Sequence, residues 1–138
     1  MLKLQPIKRR VNDETGIERV FGSIKRGDVD GVFIVSPNLQ QKFTALTLRL
    51  ATERQLPMAV HVQGWVAKGG LFSYGHDPNS VGRDAARYVD KILKGTKPAD
   101  LPVEQPTKFE FIINQKTAKQ IGLTIPPNVL ARADKVIR

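Results

Sequence analysis

The sequence predicts an α/β fold, in which helices cover both faces of a mainly parallel sheet to form a three-layer α/β/α lobe. Apolar runs typical of buried strands alternate along the chain with segments whose apolar residues recur at helical spacing. Two predicted strand ends are followed by a capping residue and a proline, Ser36-Pro37 and Asp77-Pro78. This alternation favours right-handed βαβ units.

The N-terminal third is predicted to hold two strands with a helix between them. Residues 2–11 alternate weakly, with a proline that an edge strand tolerates. An acidic, cap-forming stretch then opens a helix that we expect to close at Gly27. Residues 29–35 form the clearest strand, because their continuous apolar run is typical of a strand buried on both faces.

The middle third repeats the pattern of helix and strand. Ser36 is predicted to cap a helix that runs to about Gln55. A third strand is expected over residues 58–62, one helical turn over residues 65–68, and a fourth strand over residues 71–74.

The C-terminal part departs from this regular alternation. Asp77-Pro78 opens a helix that ends at Gly95, and a proline-rich extended connection follows over residues 96–108. We expect a strand over 109–113, a short helix over 115–121, and a final helix that opens at Pro126-Pro127 and includes Ile137. Length favours a single compact domain, 1–138, with a division between residues 1–76 and 77–138.

Composition excludes several classes of function. The formal net charge is +9, but the basic residues are spread out apart from Lys8-Arg9-Arg10, which argues against nucleic-acid binding. Without cysteine the chain has no disulfide or thiolate metal site. The sequence shows neither an export signal nor a membrane span, so we expect a soluble chain, cytoplasmic if expressed as written.

Ligands of parallel α/β sheets bind beyond the carboxyl ends of the strands, which predicts where a site lies here. Helix N-termini at this edge favour an anionic group, although capping alone explains Ser36 and Asp77. Trp65 and Tyr74 offer flat apolar surfaces, although packing explains them equally well. The predicted ligand-binding residues are Ser36, Pro37, Asn38, Gln63, Trp65, Ser73, Tyr74, Gly75 and Asp77.

The sequence gives no support for catalysis. Ser73, His76 and Asp77 lie too close in sequence to form a nucleophile, base and orienting group, which converge from separate elements. Nucleotide-binding, nucleophile-elbow and metal-ligand motifs are missing from the sequence. We therefore expect a binding protein without catalytic residues, metal or cofactor.

A family resemblance is carried by G-G-L-F-S-Y-G (69–75), followed by R-D-A-A-R-Y-V-D-K-I-L-K-G-T-K-P-A-D-L-P-V-E-Q-P-T-K-F-E-F-I-I-N-Q-K-T-A-K-Q-I-G-L-T-I-P (83–126). These residues closely resemble the C-terminal part of bacterial ABC-transporter substrate-binding proteins, in the branch of tryptophan- and tyrosine-type solute receptors with a type I periplasmic-binding fold. The resemblance extends over almost the whole chain and is specific from Gly69 onward.

The resemblance implies a receptor that captures a small organic solute between two lobes and presents it to a membrane permease. It implies a periplasmic or membrane-anchored location. The segments 36–38 and 73–75 and the residue Asp77 match positions that face the cleft in that family.

The chain departs from the family pattern because an N-terminal lobe is missing from it. The helix from Pro78 to Lys94 would pack on that lobe, so we expect its stripe of Val81, Ala85, Val89 and Ile92 to be exposed. An apolar patch of this kind usually finds a partner, which predicts a homo-oligomer formed through this helix.

Three other readings stay open at this point. The chain could be an effector-sensing regulatory domain of the same fold, or a truncated product that binds no ligand. A basic nucleic-acid binder is the third, and its affinity would fall steeply with salt.

Overall fold

A single five-stranded sheet organises the part of the chain that the computed structural model describes, which is residues 3–25, 27–35 and 37–138. Its strands lie in chain order, and three of the four neighbouring pairs are parallel while β3 and β4 are antiparallel. The strands are β1 (Val32–Phe33), β2 (Met58–Val60), β3 (Phe72–His76), β4 (Phe109–Asn114) and β5 (Lys135–Ile137). The predicted α/β class with a mainly parallel sheet is confirmed.

Helices connect these strands at almost every step. They are α1 (Glu14–Ser23), α2 (Pro37–Glu53), α3 (Gln63–Val66), α4 (Pro78–Leu93), α5 (Gln115–Gln120) and α6 (Pro127–Leu130), with a 3-10 turn at Pro98–Asp100. α2 is kinked at Phe43, whose backbone leaves the helical region.

The helices lie on both faces of the sheet. On one face, residues of α1, α2 and α3 share a buried cluster with Met58 and Val60 of β2 and Ile112 of β4. On the other face, α5 buries Ala118 and Ile121 in a cluster that includes Phe72. Phe72 and Ser73 are neighbours in β3, so they point to opposite faces, and the two clusters are separated by the sheet.

The predicted caps of α1 and α4 are confirmed. Asp13 caps α1, because its side-chain oxygen accepts a hydrogen bond from the Gly16 N–H at 2.7 Å. Asp77 caps α4 with Pro78 in the first position. Ser36, the predicted cap of α2, lies outside the described residues.

Two predictions about the first strands are wrong. Residues 3–11 form no strand, because no neighbouring strand pairs with them. The strand predicted over residues 29–35 is reduced to Val32–Phe33, and the predicted burial on both faces is wrong, since Val32 and Ile34 pack against the core whereas Phe33 is 62% exposed and Val35 is 75% exposed. β1 is an edge strand of the described sheet, so its apolar run does not indicate burial on both faces.

The C-terminal prediction of one continuous helix is also wrong. α6 ends at Leu130, and Lys135–Ile137 forms β5, which pairs in parallel with β4. Asp134 sets this register: its backbone N–H donates to the Phe111 carbonyl at 2.9 Å, and its side chain accepts from the Phe111 N–H at 2.7 Å. The free edge of β4 therefore overrides a helical pattern in the sequence.

Other element boundaries moved by a few residues. α1 ends at Ser23 rather than at Gly27, because the side chain of Asp28 accepts from the Lys25 N–H and closes a separate turn. Gly27 has a positive φ of 91° in that turn. β3 runs on to His76, so residues 73–75 belong to a strand and not to a loop.

Asn114 links the two helical layers and is expected to be important for stability. Its buried side chain donates to the Val66 carbonyl of α3 at 2.6 Å and caps α5 by accepting from the Thr117 N–H at 3.0 Å. We expect Asn114→Ala to lower the unfolding free energy by about 1–3 kcal/mol, since it leaves buried groups unpaired. Urea denaturation measures this, and Asn114→Ser, which keeps a capping oxygen, should lose less; equal losses would contradict the bridging role.

Candidate functional site

Most of the predicted site residues lie at the carboxyl ends of β1, β2 and β3, which we call the strand-end edge or edge site. β1, β2 and β3 end there, and β4 begins there because it runs antiparallel to β3. Pro37 and Asn38 lie in the first turn of α2, and Gln63 is the first residue of α3. Asp77 immediately precedes α4. This edge therefore combines the starts of two long helices, α2 and α4, with the entry to an antiparallel strand.

Asp77 is a buried carboxylate held by several donors. Its Oδ1 accepts from the Asn79 N–H at 3.0 Å, while its Oδ2 lies 3.6 Å from Lys108 Nζ and 3.7 Å from the Arg83 guanidinium. The Asn79 hydrogen bond is the main reason that the pKa of Asp77 lies below its ordinary value, and Lys108 and Arg83 lower it further against the opposing effect of burial. The side chain is ionised and already partnered at neutral pH.

A second charged group lies beside Asp77 on β4. Glu110 accepts a hydrogen bond from Gln63 Nε2 at 2.9 Å, and its other oxygen lies 3.3 Å from Lys108 Nζ. Lys108 thus bridges the carboxylates of Asp77 and Glu110. Sequence reasoning missed Lys108 and Glu110, because only the pairing of β4 with β3, which sets Glu110 opposite Gly75, brings them to this edge.

Tyr74 and Gly75 lie in β3 at the same edge. The ring of Tyr74 is 65% exposed and stacks on Phe109, with ring centroids 5.6 Å apart and planes 19° from parallel. Gly75 has a spatial reason to be glycine, since a Cβ there would lie 2.9 Å from the His61 carbonyl oxygen. Close approach of β3 to the chain beyond β2 therefore depends on the missing side chain.

Ser73 and Trp65 lie away from this edge surface. Ser73 is fully buried, and its hydroxyl has no hydrogen-bond partner within the described part of the chain. Trp65 is buried in the cluster beneath α2, with its ring 6.1 Å from that of His61. Packing accounts for both placements, and a contact of either with a ligand stays a prediction.

Two cavities open elsewhere on the molecule. A cavity of about 810 Å³ lies between α2 and α3 and includes Leu48, Trp65 and Lys68 in its lining. Another of about 460 Å³ lies between residues 7–11, α1 and β1. Neither of these two cavities is lined by Tyr74, Asp77 or Glu110.

The chemistry at this edge suits binding more than reaction. It presents two carboxylates, two cationic side chains and an amide, which complement a small molecule that carries both charges, while the exposed aromatic pair of Tyr74 and Phe109 lies on the opposite face of the strands from Glu110. Over the described residues, no group of three or more His, Cys, Asp or Glu side chains is placed to hold a metal ion. Within those same residues no helix has the length and apolar character needed to cross a membrane.

An α/β lobe with its polar groups at the carboxyl ends of parallel strands defines a ligand-binding class of protein. Residues 2–137 match the model of the ABC transporter substrate binding protein family. The chain belongs to this family, which confirms the resemblance seen in the sequence; it is a family of solute-binding proteins and not of enzymes.

Individual relatives are longer than this chain. A tyrosine-binding protein of Clostridioides difficile is 23% identical over 117 residues, which is 85% of this chain and 34% of the relative. A conserved domain protein of Vibrio cholerae aligns with TM-score 0.78 and 26% identity, over 88% of this chain and 40% of that one. An ABC domain of Streptococcus pneumoniae, solved in complex with L-Trp, aligns with TM-score 0.76 and 27% identity, over 89% and 40% respectively. The chain therefore spans about two fifths or less of these proteins.

The lowered pKa of Asp77 predicts how stability depends on pH. A carboxyl whose pKa is lower in the folded state adds stability above its unfolded pKa, and this stability is lost as pH falls through the folded pKa. We expect acid to destabilise the wild type more than Asp77→Asn, which keeps a capping oxygen but carries no charge. Melting temperatures measured between about pH 6 and pH 2.5 test this. Asp100→Asn, which changes an exposed carboxylate outside the network, is the control, and a parallel pH profile for Asp77→Asn and wild type would contradict the assignment.

Proposed function

We propose that this chain is the C-terminal-lobe part of a solute-binding receptor and that it binds a small organic solute, such as an amino acid, at the strand-end edge. The observation that carries the proposal is the charged network of Asp77, Lys108, Glu110 and Gln63 at the carboxyl ends of the parallel strands. The relatives described as tyrosine-binding and as an L-Trp complex support an amino acid with an aromatic side chain.

Each part of a zwitterionic amino acid has a matching group at this edge. Glu110, whose side chain is 26% exposed, can accept from an ammonium group, and Lys108, whose side chain is 58% exposed, can meet a carboxylate. Tyr74, backed by Phe109, lies on the opposite face of the strands from Glu110, so an aromatic side chain would reach its ring past the end of the strands. Asp77 is already partnered, so in this scheme it orients Lys108 and the start of α4. Pro37, Asn38 and Gly75 shape the edge through their backbone.

From the receptor role we also propose where this chain is located and which partner it has. Receptors of this family deliver solute to a membrane permease from outside the cytoplasmic membrane, and we place this chain there on family membership. The effector-sensing regulatory domain and the chain without ligand affinity are the competing outcomes of the binding experiment below.

Binding of an amino acid is expected to stabilise the chain. A ligand at about 100 times its Kd raises the unfolding free energy by about 2.7 kcal/mol, so L-tryptophan or L-tyrosine should raise the melting temperature measurably. Tyr74→Ala should weaken binding of an aromatic amino acid about tenfold while affecting an aliphatic one less. Val103→Ala, at a site 98% exposed in the return segment, is the control.

The results separate the competing functions. Stabilisation by neither aromatic nor aliphatic amino acids would contradict the amino-acid proposal and favour the chain without ligand affinity. Equal loss of both amino-acid classes in Tyr74→Ala would contradict the stacking role. Binding of nucleic acid that weakens steeply with salt would replace the receptor proposal altogether.

α4 carries a second proposal, because its apolar stripe has little contact with the sheet. Val89 is 55% exposed and Leu93 is 82% exposed. The helix contacts mainly its own return segment, where the Tyr88 hydroxyl donates to the Pro102 carbonyl and Arg87 pairs with Glu104. We propose that residues 78–107 form an arm distinct from the lobe, which refines the division at residue 77, and that two copies of the chain associate through α4.

Association through α4 is expected to be sensitive to a charge on the stripe. Val89→Glu should convert a dimer to a monomer, because burying an unpaired carboxylate in an apolar interface is costly. Val103→Glu makes the same chemical change at an exposed site off the helix and should leave the dimer intact. Sedimentation velocity measures both; a wild type that stays monomeric at high concentration would contradict the association.

A further inference from the structure

A cavity of about 460 Å³ lies beside β1, an outermost strand of the described sheet, and is bordered by the N-terminal segment of residues 3–11. Residues of the segment 7–11, of β1 and of α1 line it. The N-terminal segment is extended but pairs with nothing: within the described residues, no backbone hydrogen bond joins residues 3–11 to another element.

The β1 wall offers free backbone groups to this cavity. The Val32 N–H donates to the Pro57 carbonyl at 2.8 Å, so the backbone groups of Val32 face β2. Successive residues of a strand direct their N–H and C=O groups to opposite sides. The N–H and C=O of Phe33 therefore point away from β2, towards the cavity.

The two faces of the cavity differ in polarity. On the side of α1 the lining is apolar and includes Ile17, Val20 and Phe21. Away from α1, the side chains of Phe33 and Val35 are mostly exposed. An extended segment placed here would bury every second side chain against α1 and expose the others.

The basic residues that border the cavity further restrict which kind of polypeptide could bind there. Lys8, Arg9 and Arg10 lie on the exposed segment that borders the cavity, and none has an ion pair among the described residues. This is the one run of basic residues that stood out in the sequence, and the edge site does not use it. Acidic side chains at the exposed positions of an occupant would complement it.

We propose that this gap is an acceptor site for a β-strand of another polypeptide, in which apolar residues alternate with acidic ones. Neighbouring strands lie about 4.8 Å apart, and a strand beside β1 would bond to the outward backbone groups of Phe33. A compact apolar molecule would fill the volume but leave the backbone groups of Phe33 unpaired. The site is separate from the strand-end edge and does not depend on the proposed solute.

A synthetic peptide tests the proposal on the unmodified protein. The probe is a peptide of about seven residues in which valine alternates with glutamate, blocked at both ends. We expect it to bind and to slow hydrogen exchange at the Phe33 amide. The same peptide N-methylated on alternate amides should bind at least about tenfold more weakly, because it lacks ladder donors. A valine–lysine peptide should lose binding through repulsion.

Variants of Phe33 separate the backbone from the side chain. Phe33→Pro removes the N–H that faces the cavity, which an edge strand tolerates, and should weaken the peptide at least about tenfold. Phe33→Thr keeps the N–H and should bind within about threefold of wild type. Circular dichroism establishes that both variants fold, and the N-methylated peptide decides the question if Phe33→Pro does not.

Three results would overturn the proposal: no binding of the valine–glutamate peptide at millimolar concentration, equal binding of its N-methylated form, or protection of amides elsewhere but not at Phe33. Addition of a saturating amino acid should leave peptide binding unchanged. This measurement keeps the test of the acceptor site independent of the proposed receptor function.

Discussion

The antiparallel ladder between β3 and β4 is the constraint on which the rest of the structure depends. It pairs five residues of β3 with five of β4, from Phe72 opposite Ile113 to His76 opposite Phe109. On one side lie the parallel strands β1 and β2, and on the other lies β5. In the described sheet, β4 and β5 join the other strands only through this ladder. Without it, the buried side of Ile113 would be open to water.

The same ladder assembles the edge site. It sets Glu110 opposite Gly75, within reach of Gln63, and the backbone bond from Asp77 to Lys108 extends it by one step beyond the strands. The charged groups of the site are therefore placed by strand pairing and not by loop conformation. A site built on paired strands is held more rigidly than one built on loops, which suits recognition of a small ligand.

Local chemistry made part of this structure predictable. The fold class followed from alternating patterns, and the start of α4 followed from Asp77-Pro78, since capping acts over a few residues. Features that depend on distant partners were missed. The sequence of β5 predicts a helix, and only its pairing with β4 makes it a strand. Lys108 and Glu110 read as a polar connection in the sequence, and only the pairing of β4 with β3 brings them to the site. Ser73 and Tyr74 are adjacent in sequence, yet alternation sends one to the core and the other to the surface.

The bond between Asp77 and Lys108 also closes a loop, because the whole arm of residues 78–107 lies between its two ends. Closing a flexible loop has an entropic cost that grows slowly with its length, and internal contacts such as Arg87 with Glu104 reduce it only in part. Any surface that holds α4 would restrict the loop further and so favour the closed ends. By reciprocity, a ligand that stabilises the ion pairs of Lys108 would strengthen the binding of α4 to a partner surface. Chain entropy thus adds a second connection between the arm and the edge site, beside the direct ion pair of Arg83 with Asp77.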